Sequence, residues 1–190
     1  MIYINGRFLI NNPTGIENFA YGMCKAMLEK GIKFIILTPK SAIRSYDVIG
    51  FDMIKIGLFT GPLWEQIDLS FFMIGKSRDI LISFSGAGSL IIKNQIITIH
   101  DVAVFQHPEW FSKTYSILYK TITPIIARKS KAILTVSEFS KREITNLFGI
   151  NSDKVIVTYS SPKNYSKCDL IHEQQNNTNI ISSPYILAVS

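Results

Sequence analysis

The feature that most limits how this chain can fold is the alternation of short apolar, β-branched runs with stretches of helical periodicity. The runs fall at 1–5, 32–38, 79–85, 95–100, 132–136 and 154–159. Near-continuously apolar strands are buried on both faces, and helices between them supply the crossovers that parallel pairing requires. The expected fold class is therefore α/β, a Rossmann-like doubly wound parallel sheet. At 190 residues, 47% of them apolar, the chain can bury one substantial core and is too short for two complete domains of this kind. Residues 1–160 are assigned to the domain and the polar, Asn-rich stretch 161–184 to a linker. Residues 185–190 read as the first strand of a further domain that this chain does not contain.

Helix signals follow several of the runs. Thr14 and Glu17 have capping-box spacing, with Thr14 set to take a free backbone N–H and Glu17 to reach back. The helix they open carries an apolar face of Ile16, Phe19, Ala20, Met23, Ala26 and Met27 and stops at Gly31. A second helix is expected over 112–129, kinked or interrupted at Pro124. A third follows Ser137, where Ser140 and Glu143 repeat the capping-box spacing and Phe139, Ile144, Leu147 and Phe148 form the buried stripe.

Composition narrows the partners. Lys and Arg number 20 against 14 Asp and Glu, a balance of +6 that suits phosphates, an anionic lipid surface or nucleic acid. No recognisable nucleic-acid motif or clustered basic helix accompanies it, so nucleic acid is not an expected partner. The two cysteines, Cys24 and Cys168, offer neither a disulfide framework nor a metal-binding pair, and the three histidines lack metal-ligand spacing. No metal and no cofactor are expected. The N-terminus lacks the features of a secretory signal and no stretch reads as a membrane span, so a cytoplasmic location is expected, with any membrane contact peripheral.

In a doubly wound sheet, ligands lie beyond the carboxyl ends of the strands, so the residues just after each run are the candidates. Gly15, at the start of the first helix, either lets a phosphate approach the helix amides or merely turns the chain. No GxGxxG follows the first strand, which argues against a dinucleotide site of the usual kind. His100 and Asp101 end a strand. They either bond sugar hydroxyls, with the carboxylate fixing the imidazole tautomer or bonding a hydroxyl itself, or satisfy backbone and cap the next turn. Ser137 and Lys141 either meet a phosphate or hydroxyl or cap a helix and face solvent. Ser85 to Gly88 allow close backbone approach of a ligand. The aromatic and basic segment 110–131, with Trp110, Phe111, Tyr115 and Tyr119 among Lys113, Lys120, Arg128, Lys129 and Lys131, either rests on an anionic membrane or is a core helix with a solvated face.

The order of these elements resembles the N-terminal, acceptor-side domain of family-four GT-B glycosyltransferases of the bacterial surface-polysaccharide type. The resemblance rests on Arg-Phe-Leu at 7–9, Thr-Gly-Ile-Glu at 14–17 and Gly-Pro-Leu-Trp-Glu-Gln at 61–66. His-Asp at 100–101 with Pro108, Ala-Ile-Leu-Thr-Val-Ser-Glu-Phe-Ser-Lys at 132–141 and Lys-Val-Ile-Val-Thr-Tyr at 154–159 complete it. It implies retaining, metal-independent transfer of a sugar from a nucleotide-sugar donor to a glycan or lipid-linked acceptor at the inner membrane, as in lipopolysaccharide assembly. It further implies that Gly15 approaches the donor diphosphate and that His100 and Asp101 line the sugar and acceptor pocket, with Arg7, Glu17 and Ser137 as additional substrate contacts. The family's AsnGly after the last strand is replaced here by Ser-Ser-Pro at 160–162, and its donor-binding basic pair and glutamates belong to the region beyond 190. The chain alone is therefore expected to lack transferase activity, and the alternative is a truncated, non-catalytic module that binds glycan or membrane.

Overall fold

The structure is a computed structural model that describes residues 1–41 and 46–160. The expected linker at 161–184, the strand expected at 185–190, Cys168, His172 and most of the Ser-Ser-Pro turn lie outside the described residues.

The apolar runs become strands of one all-parallel sheet: β1 (Ile2–Asn5), β2 (Ile35–Thr38), β3 (Met53–Lys55), β4 (Ile80–Ser83), β5 (Gln95–Thr98), β6 (Ala132–Thr135) and β7 (Val155–Val157). Their order is β3-β2-β1-β4-β5-β6-β7. Helices α1 (Gly15–Glu29), α2 (Gly61–Gln66), α3 (Asp68–Met73), α4 (Ala103–Gln106), α5 (Lys113–Lys129) and α6 (Glu138–Phe148) connect them. The Rossmann-like α/β class is what the sequence calls for.

Register explains why both faces are apolar. Ile4 pairs with Ile36 on one side and Ile82 on the other, and all three are buried in a cluster with Ala20 and Cys24 of α1. Tyr3, Leu37 and Leu81 belong to the opposite face, against Trp64 of α2 and Leu69 and Met73 of α3. Successive strand residues alternate faces, so a strand covered on both sides needs apolar groups at consecutive positions. Trp64 and Leu69 are fully buried, and burying a large apolar side chain contributes about 1.5–3 kcal/mol. On the β5-β6-β7 side, Ile97, Ile133 and Val155 pack with Ile122, Ile126 and Ala127 of α5 and Ile144 and Phe148 of α6.

Several local expectations are corrected. β3, α2 and α3 were not foreseen: β3 is short with two exposed residues, and α2 and α3 have six residues each, too few to establish a helical period. Thr14 is the N-cap of α1 without a side-chain bond to the backbone; its hydroxyl donates to the Glu17 carboxylate instead. The buried residues of α1 are Glu17, Ala20 and Cys24, while Ile16 and Ala26 face outward. α5 runs unbroken through Pro124. The acceptor that Pro124 leaves without its helix N–H, the Lys120 carbonyl, belongs to an exposed residue where water can serve, and burial of Ile122, Thr123, Ile126 and Ala127 holds both halves of the helix. In α6 the cap is Ser137, whose Oγ accepts from the Ser140 amide, and Glu143 meets Gln106 instead of forming a capping box. The buried stripe there is the narrower Ser140, Ile144 and Phe148, which leaves Phe139 and Leu147 exposed.

Candidate functional site

The strand order reverses direction between β1 and β4, so the loops leaving these strands diverge and open a crevice at their carboxyl ends. A cavity of about 300 Å³ occupies it. Arg7 and Asn11 enter from the segment after β1, Glu17 from α1, Ser85, Gly86 and Ala87 from the loop after β4, and His100 and Asp101 from the end of β5. Four of the sequence candidates, Arg7, Glu17, His100 and Asp101, therefore share one wall.

Arg7 is held from below. Its Nη1 donates to Glu65 Oε2 at 2.7 Å, and Glu65 is fully buried. The other carboxylate oxygen accepts from Asn5 Nδ2 at 2.8 Å, and the amide of Ala87 also reaches the carboxylate. Burial pushes the Glu65 carboxyl above its ordinary range, against the pull of the Arg7 guanidinium and the Asn5 amide. For Arg7, burial is the largest single influence and acts downward, but Glu65 and Tyr119 together outweigh it and leave the guanidinium more firmly protonated than usual. Gly86 is what lets the carboxylate approach: its φ is +79°, and a Cβ there would stand 2.0 Å from Glu65 Oε1.

Glu17, buried at the start of α1, accepts from the Thr14 hydroxyl and from Asn11 Nδ2 at 3.0 Å. His100 Nε2 lies 3.2 Å from the Phe84 carbonyl oxygen. A carbonyl only accepts, so Nε2 carries the proton and Nδ1 keeps a lone pair. Burial holds the imidazole pKa below its ordinary value, opposed by the Phe84 carbonyl, Asp101 and Glu17, and the ring is braced edge-on by Phe19 at 5.1 Å. The tautomer is thus set by backbone, not by Asp101. The Asp101 carboxylate uses Oδ1 to accept from the Ala103 amide at 2.9 Å, capping the next turn. Among the described residues its other oxygen has no hydrogen-bond partner, so the capping role and a hydroxyl-binding role are compatible.

An aromatic row completes the lining, with Tyr119 beside the Arg7 guanidinium. Phe111, Tyr115 and Tyr119 line the cavity and stack in series, with centroids 5.6 and 4.1 Å apart. Three of the four aromatics of the 110–131 segment are thus turned into the crevice and Trp110 is not, while Lys113, Ile117 and Lys120 form an exposed stripe on α5. Burial raises the Tyr115 phenol well above its usual range, so it stays a protonated donor.

Gly15 and Ser137 stand apart. Gly15 is the first residue of α1, exposed, with nothing within 4 Å of where a Cβ would sit. It adjoins Ile16 and Glu17 but does not line the cavity. Ser137 spends its hydroxyl on Ser140, accepting from its amide at 3.0 Å and donating to its Oγ at 3.1 Å. Cys24 is buried beneath α1 with its thiol pushed up to about 12 by burial. Among the described residues, no three His, Cys, Asp or Glu side chains converge to hold a metal, and no helix is long and apolar enough to cross a membrane.

Sequence reasoning missed Asn5, Glu65 and the tyrosines as site residues. The Gly-Pro-Leu-Trp-Glu-Gln element contained Glu65, but only a carboxylate buried without exposure and reaching Arg7 across 58 positions reveals its part.

Fold and crevice together define a Rossmann-like domain with a cavity at the switch point of its sheet. The chain belongs to Glycosyltransferase Family 4, whose model matches residues 13–160. It is similar to the O-antigen chain mannosyltransferase RfbU of Salmonella typhimurium, with 28% identity over 99 residues, 52% of this chain and 25% of that protein. It is also similar to the O-antigen chain mannosyltransferase B of Escherichia coli, with 31% identity over 67 residues, 35% of this chain and 18% of that protein. The matches thus span a quarter or less of the length of these curated relatives.

Proposed function

We propose that this domain forms the acceptor-side wall of a retaining glycosyltransferase that moves a sugar from a nucleotide-sugar donor to a glycan or lipid-linked acceptor. The observation that carries this reading is the convergence of Arg7, Glu17, His100 and Asp101 on one cavity that Phe111, Tyr115 and Tyr119 also line. Neutral His100 offers Nδ1 to a sugar hydroxyl, and the free Asp101 oxygen accepts from a second. Arg7, its charge secured by Glu65, directs N–H donors at hydroxyl or phosphate oxygens. The amides at the start of α1 form an N-terminal turn at which Gly15 leaves room for a diphosphate. The names of the two relatives point to mannose as the transferred sugar and an O-antigen chain as its destination. Lys113, Ile117 and Lys120 supply an exposed stripe suited to peripheral contact with an anionic membrane.

In this reading a second domain supplies the cations that meet the charge developing on the departing nucleoside diphosphate. The chain by itself is then silent. The test is nucleoside diphosphate release from a panel of nucleotide sugars, by the chain alone and by the chain joined to a family-four donor domain. Release by the joined protein, lowered by His100→Ala, supports the reading. Equal release from parent and His100→Ala removes that residue from the site, and saccharide binding without release under any condition favours the non-catalytic module.

A further inference from the structure

A second hollow, of about 390 Å³, adjoins the first between α4 and α6. Asp101 lines both. Its other walls include Gln106, His107, Trp110, Phe139 and Glu143. Trp110 is 68% exposed and Phe139 is 61% exposed, so two large aromatic side chains present apolar surface to the same hollow.

The indole is not loose. His107 stacks on one of its faces, with centroids 4.1 Å apart and planes inclined by 10°. The imidazole is itself anchored by Nδ1 to Glu109 Oε1 at 3.1 Å. The indole is thus backed on one face and leaves the other to a ligand. Around it, Gln106 and Glu143, bonded to each other, and the Asp101 carboxylate present polar atoms. A pyranose ring has this pairing of needs, with C–H groups that lie on an aromatic face and a rim of hydroxyls that donate to carboxylates and amides. An anionic membrane fits poorly, because Asp101, Glu109 and Glu143 would repel its headgroups.

We propose that this hollow is a second acceptor subsite, which holds the sugar preceding the one that receives the new linkage. The preferred acceptor is then an oligosaccharide of at least two sugars, with Trp110 as the length-sensing contact. This inference rests on the glycosyltransfer reading of the neighbouring cavity.

The experiment uses the 190-residue chain and saccharides of one, two and three sugars, released from bacterial O-antigen chains and separated by length. Binding is followed by calorimetry and by tryptophan emission. The chain has two tryptophans, and since Trp64 is fully buried, emission changes report Trp110. Affinity should rise about tenfold or more from one sugar to two, with a blue shift or quench. Trp110→Ala should abolish that increment and leave single-sugar affinity unchanged, Trp110→Phe should keep part of it, and circular dichroism should show the variants folded. A length-independent affinity, or an increment that survives in Trp110→Ala and Phe139→Ala, overturns the subsite alone. An emission change with anionic vesicles and none with any saccharide also overturns it. Failure of every saccharide to bind, with His100→Ala indistinguishable from the parent, overturns the reading beneath it as well.

Discussion

Glu65, without any exposed surface, holds Arg7 Nη1 at 2.7 Å. The pair joins the segment after β1 to α2 and turns a flexible cation into a fixed one at the cavity wall. Removing one member of a buried ion pair leaves the other uncompensated, which costs about 3–5 kcal/mol. Glu65→Ala should lower unfolding stability by roughly that amount in urea titration. Glu65→Gln, which keeps the shape and an acceptor, should lower it less.

Gly86 and Gly15 make a matched test. At Gly86 a methyl would meet the Glu65 carboxylate at 2.0 Å on a backbone of positive φ, so Gly86→Ala should cost about 1–3 kcal/mol or more. At Gly15 nothing lies within 4 Å, so Gly15→Ala should leave the melting temperature almost unmoved. If a diphosphate approaches that helix turn, Gly15→Ala lowers turnover in the joined protein all the same. Unchanged turnover there would remove Gly15 from the donor site.

His100 predicts a pH dependence. Its folded pKa lies below the ordinary 6.5, so between those values the unfolded chain binds a proton that the fold does not. Stability is therefore fully present above 6.5 and is lost as pH falls towards the folded value. Saccharide affinity should fall only lower, as pH drops through the folded value, because protonation then fills the Nδ1 lone pair. Thermal melts of His100→Gln should lose this component of the pH profile, and a profile identical to the parent's would contradict the assignment.

Ser137 separates capping from binding. It accepts the Ser140 amide at 3.0 Å, and loss of an N-cap typically costs about 1 kcal/mol. Ser137→Ala should therefore lower stability by about that much and leave saccharide affinity unchanged in calorimetry. A loss of affinity without a loss of stability would return Ser137 to the ligand site.

The sheet was legible because Ile4, Ile36 and Ile82 and their neighbours sit in consecutive apolar runs, and two-sided burial writes itself into local sequence. The placement of His100 and Asp101 at the cavity was legible because they follow directly on a strand of a parallel sheet. Phe139 and Leu147 misled because an apolar residue at helical spacing reads the same whether it lies in the stripe or on its flank. The capping-box spacing at Thr14 and Glu17 misled in another way: the two side chains bonded each other and Asn11, a choice set by the burial of Glu17.

By itself, then, the sequence determined the α/β class, the alternation of elements and the edge of the sheet at which the crevice opens, since each follows from period, spacing and chain connectivity. Only the tertiary structure decided that Glu65 anchors Arg7, that a carbonyl sets the His100 tautomer, and that α5 turns its tyrosines into the crevice. Those outcomes depend on which groups lose their water together, and residues 58 positions apart share no local pattern that records it.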